Sequence, residues 1–162
     1  MSETAPNAHR FPPLDPERAR MWRDFPRFDD RIFFPRFVGL SLEEVRTDYA
    51  RMRLHYRPEL NQPAGVIHGG AIATLVDTAV VPAIGSAYPD RRMLLTVDMH
   101  VSFLGSVAGE DAIAEAWVEK RGRSMVFCRV EVRSESGALA STASLVYKVS
   151  SRGIDGSPRS QE

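Results

Sequence analysis

The sequence predicts an α+β domain in which an antiparallel β-sheet wraps around one long central helix. Two observations carry this prediction: one strongly apolar segment of helical length, Gly70–Ala83, and five runs in which apolar and polar residues alternate. Four of the runs follow the helix in succession and are separated by short turn signals, which is typical of consecutive antiparallel strands. A helix that is apolar on nearly every side must be buried, and a curled sheet can cover it.

The chain is predicted to have three parts. Residues 1–38 form an N-terminal extension that is partly flexible, residues 39–150 form the folded domain, and residues 151–162 form a flexible tail. Residues 1 to about 13 are polar and contain prolines, which predicts disorder or loose attachment.

Within the extension, Asp15–Phe25 is expected to form a short helix. Asp15 is a suitable N-cap, Pro16 suits the first turn, and Pro26 ends the helix. Five phenylalanines between residues 25 and 37 predict a segment that packs over the main domain or over a partner subunit.

The strands are predicted from alternation with a period of two. The first begins near Thr47 and continues through Tyr56, with arginine and histidine at the polar positions. The central helix is expected to end or kink at Pro82 or Gly85. The strands after the helix are predicted at Leu94–Phe103, Ala112–Glu119, Ser124–Ser134 and Ala138–Val149.

Composition narrows the class of function. The 162 residues include 21 Lys and Arg against 21 Asp and Glu, so the net charge is zero and gives no reason to expect nucleic acid or membrane as a partner. No apolar run approaches the roughly 20 residues needed to span a bilayer, and the first 20 residues lack the apolar segment that is typical of a signal peptide. The single cysteine, Cys128, is expected to be a small core residue in a reducing compartment, which predicts a cytoplasmic protein.

The residues most suited to catalysis lie in the segment QPAGVIHGGAIATLVD, residues 62–77. Gly69 and Gly70 open the central helix, so their N–H groups lack partners within the helix and lie at the positive end of its dipole. Such donors can stabilise the oxyanion that forms when a carbonyl is attacked. The alternative interpretation is that the glycines only permit close packing of the helix on a strand.

Asp77 is a lone carboxylate on this apolar helix. It lies eight residues beyond Gly69, about 12 Å along the axis, too far for both groups to act on one carbonyl within a single chain. This spacing predicts a two-fold dimer with composite active sites, in which Asp77 comes from the second copy. The alternative is that Asp77 is bound to Thr74, Thr78 or a backbone group as a structural residue.

Other polar residues are weaker candidates for a role in the site. His68 can donate to a substrate carbonyl or hold the loop, and Gln62 can polarise a carbonyl but cannot act as a base. The remaining histidines and Cys128 lack the spacing of metal ligands, so no metal site is predicted. The segment 121–124 is either a solvated hairpin tip or a clamp for a phosphorylated cofactor.

These residues together resemble the hotdog-fold acyl-CoA thioesterases, in particular their PaaI-like branch. The likeness extends over residues 39–149, including Thr96–Asp111 and Gly122–Val132, and it implies the hotdog fold. The family motif, an amide residue followed by G-x-x-H-G-G and an acid, is matched by Gln62, Gly65, His68, Gly69, Gly70 and Asp77.

The resemblance implies hydrolysis of an acyl-CoA thioester. Gly69 would polarise the thioester carbonyl, and Asp77 of the partner subunit would act as general base or as nucleophile. Thr96 would hold the attacking water, while His68 and Gln62 would position water and thioester. The remaining substrate and CoA contacts that it implies are Asn61, Gly70, Arg121, Arg123 and Ser124.

No cofactor is expected, because coenzyme A is part of the substrate, and the homodimer is expected to assemble as a dimer of dimers. Two other functions stay open at the level of sequence. A non-catalytic acyl-CoA-binding or sensing protein would keep the glycines but typically lose the acid at Asp77. A hotdog dehydratase acting on 3-hydroxyacyl thioesters is the third alternative.

Overall fold

The computed structural model describes residues 6–153 as a curved sheet wrapped around one long helix. Within these residues, no helix is long and apolar enough to cross a membrane. The helices are α1 (Pro16–Trp22), α2 (Phe34–Val38) and α3 (Gly69–Gly85). The strands are β1 (Leu40–Arg46), β2 (Tyr49–Leu54), β3 (Arg92–Phe103), β4 (Ala112–Arg121), β5 (Met125–Ser134) and β6 (Leu139–Gly153).

Over the described residues, the sheet has six antiparallel strands in the order β1-β2-β4-β5-β6-β3. Its concave face covers α3, which packs chiefly against β4 and β2. Leu75, Val76 and Ile84 of the helix are fully buried in this core. The predicted wrapping of an antiparallel sheet around a central apolar helix is therefore confirmed.

One strand was not predicted from the sequence. The expected layout has five strands, whereas the structure adds β1 at the edge beside β2. The sequence of β1, LSLEEVR, places two acids side by side, and its pairing with β2 shifts between Leu42 and Glu44. This irregularity breaks the alternation on which the prediction depends.

The extension is attached to the domain rather than loose. Asp15 accepts hydrogen bonds from the N–H groups of Glu17 and Arg18, so the predicted N-cap of α1 is confirmed. The expected loose attachment of residues 1–13 is wrong for residues 7–13: Ala8 is buried, and Pro12 accepts a hydrogen bond from the N–H of Thr47. Residues 1–5 lie outside the described part.

The aromatic segment of the extension is only partly packed. Phe25 is buried in the main core together with Trp22. Four other phenylalanines stay exposed: Phe28, Phe33, Phe34 and Phe37. At the other end of the chain, β6 continues three residues into the predicted tail, and residues 154–162 lie outside the described part.

The two edges of the sheet differ. The N-terminal segment pairs with the last residue of β1 in an isolated bridge between Pro13 and Arg46. In contrast, β3 pairs only with β6 among the described strands, so its outer edge is unpaired. Large apolar side chains are exposed along and just beyond β3: Leu95, Val97, Met99, Phe103 and Leu104. An apolar open edge of this length is a surface suited to pairing with another chain.

Candidate active site

The first turn of α3 is capped by a histidine. His68 has an extended backbone, and its Nδ1 accepts a hydrogen bond of 2.8 Å from the N–H of Gly70. When the ring is neutral, its proton is therefore on Nε2, which stays available as a donor. A β-carbon on Gly70 would lie 3.0 Å from Nδ1, so the glycine makes room for the cap.

Gly69 differs from Gly70 in its hydrogen bonding. Over residues 6–153, the N–H of Gly69 has no acceptor. It lies at the positive end of a 17-residue helix, where a donor without a partner favours an anionic or partly negative oxygen. A β-carbon at this position would make ordinary contact with the Phe103 ring at 3.4 Å, so close packing does not by itself require the glycine.

The loop before α3 is held by backbone hydrogen bonds. The N–H of His68 donates to Leu60 and the N–H of Ile67 donates to Val107, both at 2.8 Å. Asn61 and Ile67 also form an isolated β-bridge. These bonds fix the direction in which the chain enters the helix and hence the orientation of the Gly69 N–H.

A surface cavity of about 420 Å³ opens beside this helix start. Gln62, Gly69 and Phe103 are among the residues that line it. The neighbouring amide of Asn61 is instead directed to Tyr56, whose hydroxyl accepts a hydrogen bond from Asn61 Nδ2 at 3.0 Å. Of the two predicted amide residues, Gln62 thus shares a cavity with Gly69.

Asp77 is bound by two hydroxyl groups from the sheet. Its Oδ1 accepts a hydrogen bond of 2.9 Å from Thr96 Oγ1 and one of 2.5 Å from Tyr147 Oη. In the described part of the chain, Oδ2 has no hydrogen-bond donor. Neither Thr74, whose hydroxyl donates to the Gly70 carbonyl, nor the buried Thr78 binds the carboxylate.

Gly69 and Asp77 do not share a site within one chain. Eight residues separate them on α3, which is a rise of about 12 Å. Asp77 is not among the residues lining the cavity beside Gly69. Within one chain, the Gly69 N–H and the Asp77 carboxylate therefore lie in separate places, and a composite site stays a prediction.

A family model described as the thioesterase superfamily matches residues 64–141, a segment that contains Gly69, Asp77 and Thr96. The chain is thus similar to the thioesterase superfamily over 78 of its 162 residues. Among solved structures, it resembles a conserved protein of Pseudomonas aeruginosa, with a TM-score of 0.70 and 24% identity over 74% of this chain and 95% of that one.

Two further proteins are similar to this chain. The PaaI protein from the phenylacetic acid degradation operon of E. coli has a TM-score of 0.68 and 17% identity, over 75% of this chain and 86% of that one. The fold is thus the hotdog fold that the sequence resemblance implies. A candidate esterase of Halobacterium salinarum is 35% identical over 59% of this chain, and the match spans 66% of that relative, just under two thirds of its length.

Arg121 lies far from the start of α3. Its guanidinium donates to Asp48 at 2.5 Å, to the Tyr88 hydroxyl at 2.9 Å and to the Ile84 carbonyl at 3.1 Å. It therefore closes the C-terminal end of α3 and is not part of a solvated hairpin tip. Its contact with CoA stays a prediction, as do those of the exposed residues Arg123 and Ser124.

Cys128 behaves as expected for a core residue. It is buried on β5, and burial raises the pKa of its thiol to about 12. Within residues 6–153, no group of three His, Cys, Asp or Glu side chains is placed to hold a metal ion.

Tyr147 is the site residue that sequence reasoning missed. It stands in the alternating apolar pattern of β6, where a tyrosine looks like any other buried aromatic residue. Its contact with Asp77 depends on the position of β6 between β5 and β3, where Tyr147 pairs with Val126 on one side and Thr96 on the other. No local pattern in the sequence predicts how these strands pair.

Proposed function

We propose that this protein is an acyl-CoA thioesterase, which hydrolyses a thioester to the free acid and coenzyme A. The proposal rests on one observation: within residues 6–153, α3 presents an N–H with no acceptor at Gly69 and a carboxylate oxygen with no donor at Asp77. The first group is suited to a developing oxyanion and the second to activating water or attacking a carbonyl. Similarity to the thioesterase superfamily over residues 64–141 supports this pairing of chemistry and fold.

The complete site is proposed to form between two copies of the chain. If two α3 helices run antiparallel about a two-fold axis, the Asp77 of each copy comes close to the Gly69 of the other. The open edge at β3 supports this arrangement, because it exposes large apolar side chains, whereas the chain's own N-terminal segment already pairs with the end of the opposite edge at β1. Further pairing of dimers into a tetramer is part of the same proposal.

The proposed reaction follows from these positions. The thioester carbonyl accepts a hydrogen bond from the Gly69 N–H, which stabilises the negative charge that forms on its oxygen. Asp77 either removes a proton from water as it attacks the carbonyl carbon, or attacks directly to form an anhydride that water then hydrolyses. In both routes the carbon–sulfur bond breaks and the thiolate of CoA takes up a proton.

Supporting residues are assigned by their positions. Gln62 lines the cavity beside Gly69 and can orient the thioester or the water. The Nε2–H of His68 can donate to the same carbonyl region, since Nδ1 is engaged by the helix. Arg123 and Ser124 are proposed to contact the nucleotide of CoA, and no separate cofactor is required.

Thiol release from a panel of short, medium, long and aromatic acyl-CoAs tests this function. Wild type is expected to hydrolyse at least one member, and Asp77→Asn to lower kcat/KM for that substrate by at least about a hundredfold. Glu119→Gln is the matched control, because Glu119 is an exposed carboxylate paired with Arg129. Saturable acyl-CoA binding without hydrolysis would overturn the proposal in favour of a binding protein.

A further inference from the structure

Tyr147 is a buried donor to the carboxylate of Asp77. Its side chain is 2% exposed, and its hydroxyl lies 2.5 Å from Oδ1 and 2.8 Å from the main-chain oxygen of the same residue. Burial, followed by the hydrogen bond to Asp77, raises the pKa of the tyrosine, so the hydroxyl stays protonated and donates.

The placement of this hydroxyl follows from the sheet. Thr96 on β3 and Tyr147 on β6 are directly opposed partners, so their side chains lie on the same face and both point towards α3. The register of β3 shifts between Thr96 and Asp98, immediately beyond this pair. Such an irregularity often re-aims a side chain beside a functional site.

The two hydroxyl groups on Oδ1 differ in their freedom to move. Thr96 is exposed on the open edge strand, so its hydroxyl can turn towards a water molecule or a substrate. The Tyr147 hydroxyl is fixed by the surrounding core and by a second acceptor, the main-chain oxygen of Asp77. A rigid donor on Oδ1 leaves Oδ2 as the oxygen that faces a reactant.

We propose that Tyr147 is a positioning residue, which holds Oδ1 of Asp77 so that Oδ2 is presented to water or to the thioester carbonyl. This inference rests on the proposed function and deepens it, since it assigns different tasks to the two carboxylate oxygens. Tyr147 acts through Asp77 and is not required to touch the substrate.

The test compares Tyr147→Phe with Tyr49→Phe. Both variants remove the hydroxyl of a buried tyrosine that donates to a carboxylate, but Tyr49 donates to Glu115, away from Asp77. We expect Tyr147→Phe to lower kcat by about tenfold or more with KM within about twofold, because a hydrogen bond to a charged group is lost. Tyr49→Phe should leave kcat unchanged, and Tyr147→Phe should cause no further loss in an Asp77→Asn background.

A Tyr147→Phe enzyme with the kcat of wild type would overturn the inference. Failure of the proposed function has a different signature, which is a wild-type protein that releases no thiol from any acyl-CoA. In that case a double-mutant cycle with Tyr147→Phe and Asp77→Asn, measured by urea unfolding, tests the contact between the two side chains without any need for enzymatic activity. Non-additive stabilities would support it, and additive stabilities would overturn it.

Discussion

The indole ring of Trp22 lies so close to the backbone of Gly85 that a β-carbon on this glycine would overlap the ring. Trp22 belongs to the N-terminal extension, and Gly85 is the last residue of α3. The extension is therefore joined to the end of the central helix by direct packing, which explains why a glycine ends that helix.

Gly85→Ala is expected to lower the free energy of unfolding by about 1–3 kcal/mol, because the added methyl group overpacks the core against Trp22. Urea unfolding measures the loss. In a Trp22→Ala background the same substitution should be neutral or stabilising, since alanine is the better helix former. Equal destabilisation in both backgrounds would show that the ring is not the obstacle.

Gly69→Pro is expected to lower kcat/KM by about a hundredfold or more, because it removes the proposed oxyanion donor. Gly69 is the first residue of α3, where proline is favoured, and the extended backbone of His68 suits a following proline. Gly69→Ala keeps the N–H and adds only an ordinary contact with Phe103, so it should retain most activity. Equal activity of the two variants would exclude the N–H from catalysis.

Glu115→Ala is expected to destabilise the protein by about 1–3 kcal/mol, since it leaves a buried hydroxyl without an acceptor. Glu115 is 4% exposed and accepts a hydrogen bond of 2.8 Å from Tyr49 and two from Asn7. The control is Glu119→Ala at an exposed ion pair, which should cost less than about 1 kcal/mol. Similar losses for both variants in thermal or urea unfolding would contradict this account of the buried carboxylate.

Because the pKa of the Cys128 thiol is raised in the folded protein, we expect the free energy of unfolding to fall at alkaline pH. Its folded pKa of about 12 lies above the ordinary value of 9.0, so above pH 9 the unfolded chain releases the thiol proton while the folded chain keeps it. Stability from this group is complete below pH 9 and falls as the pH rises towards 12, by at most about 1.4 kcal/mol per pH unit. Cys128→Ala should therefore show a shallower decline of unfolding free energy between pH 9 and 11, and an unchanged slope would refute the assignment.

The parts of the site that could be predicted from sequence depend on neighbours along the chain. The glycine pair, the histidine before it and the apolar run together specify where α3 begins, and the eight-residue spacing of Gly69 and Asp77 needs only helix geometry. The N-cap at Asp15 is likewise a local signal.

The parts that could not be predicted depend on strand register and distant pairing. Tyr147 reaches Asp77 across 70 residues, and the place of β6 in the sheet, between β5 and β3, brings them together. Arg121 resembles part of a hairpin tip in sequence, yet Asp48, 73 residues away, draws its guanidinium to the end of α3. Such contacts form only in the folded sheet, and no periodicity or motif in the sequence predicts them.

The most direct test of the composite site is the activity of a heterodimer that carries Asp77→Asn in one subunit and Gly69→Pro in the other, isolated with two affinity tags. Each homodimer of these variants should be nearly inactive on acyl-CoA. In the heterodimer, one of the two sites combines an intact Gly69 with an intact Asp77 from the other subunit. We expect about half of the wild-type thiol release per dimer; a heterodimer as inactive as both parent homodimers would contradict the account.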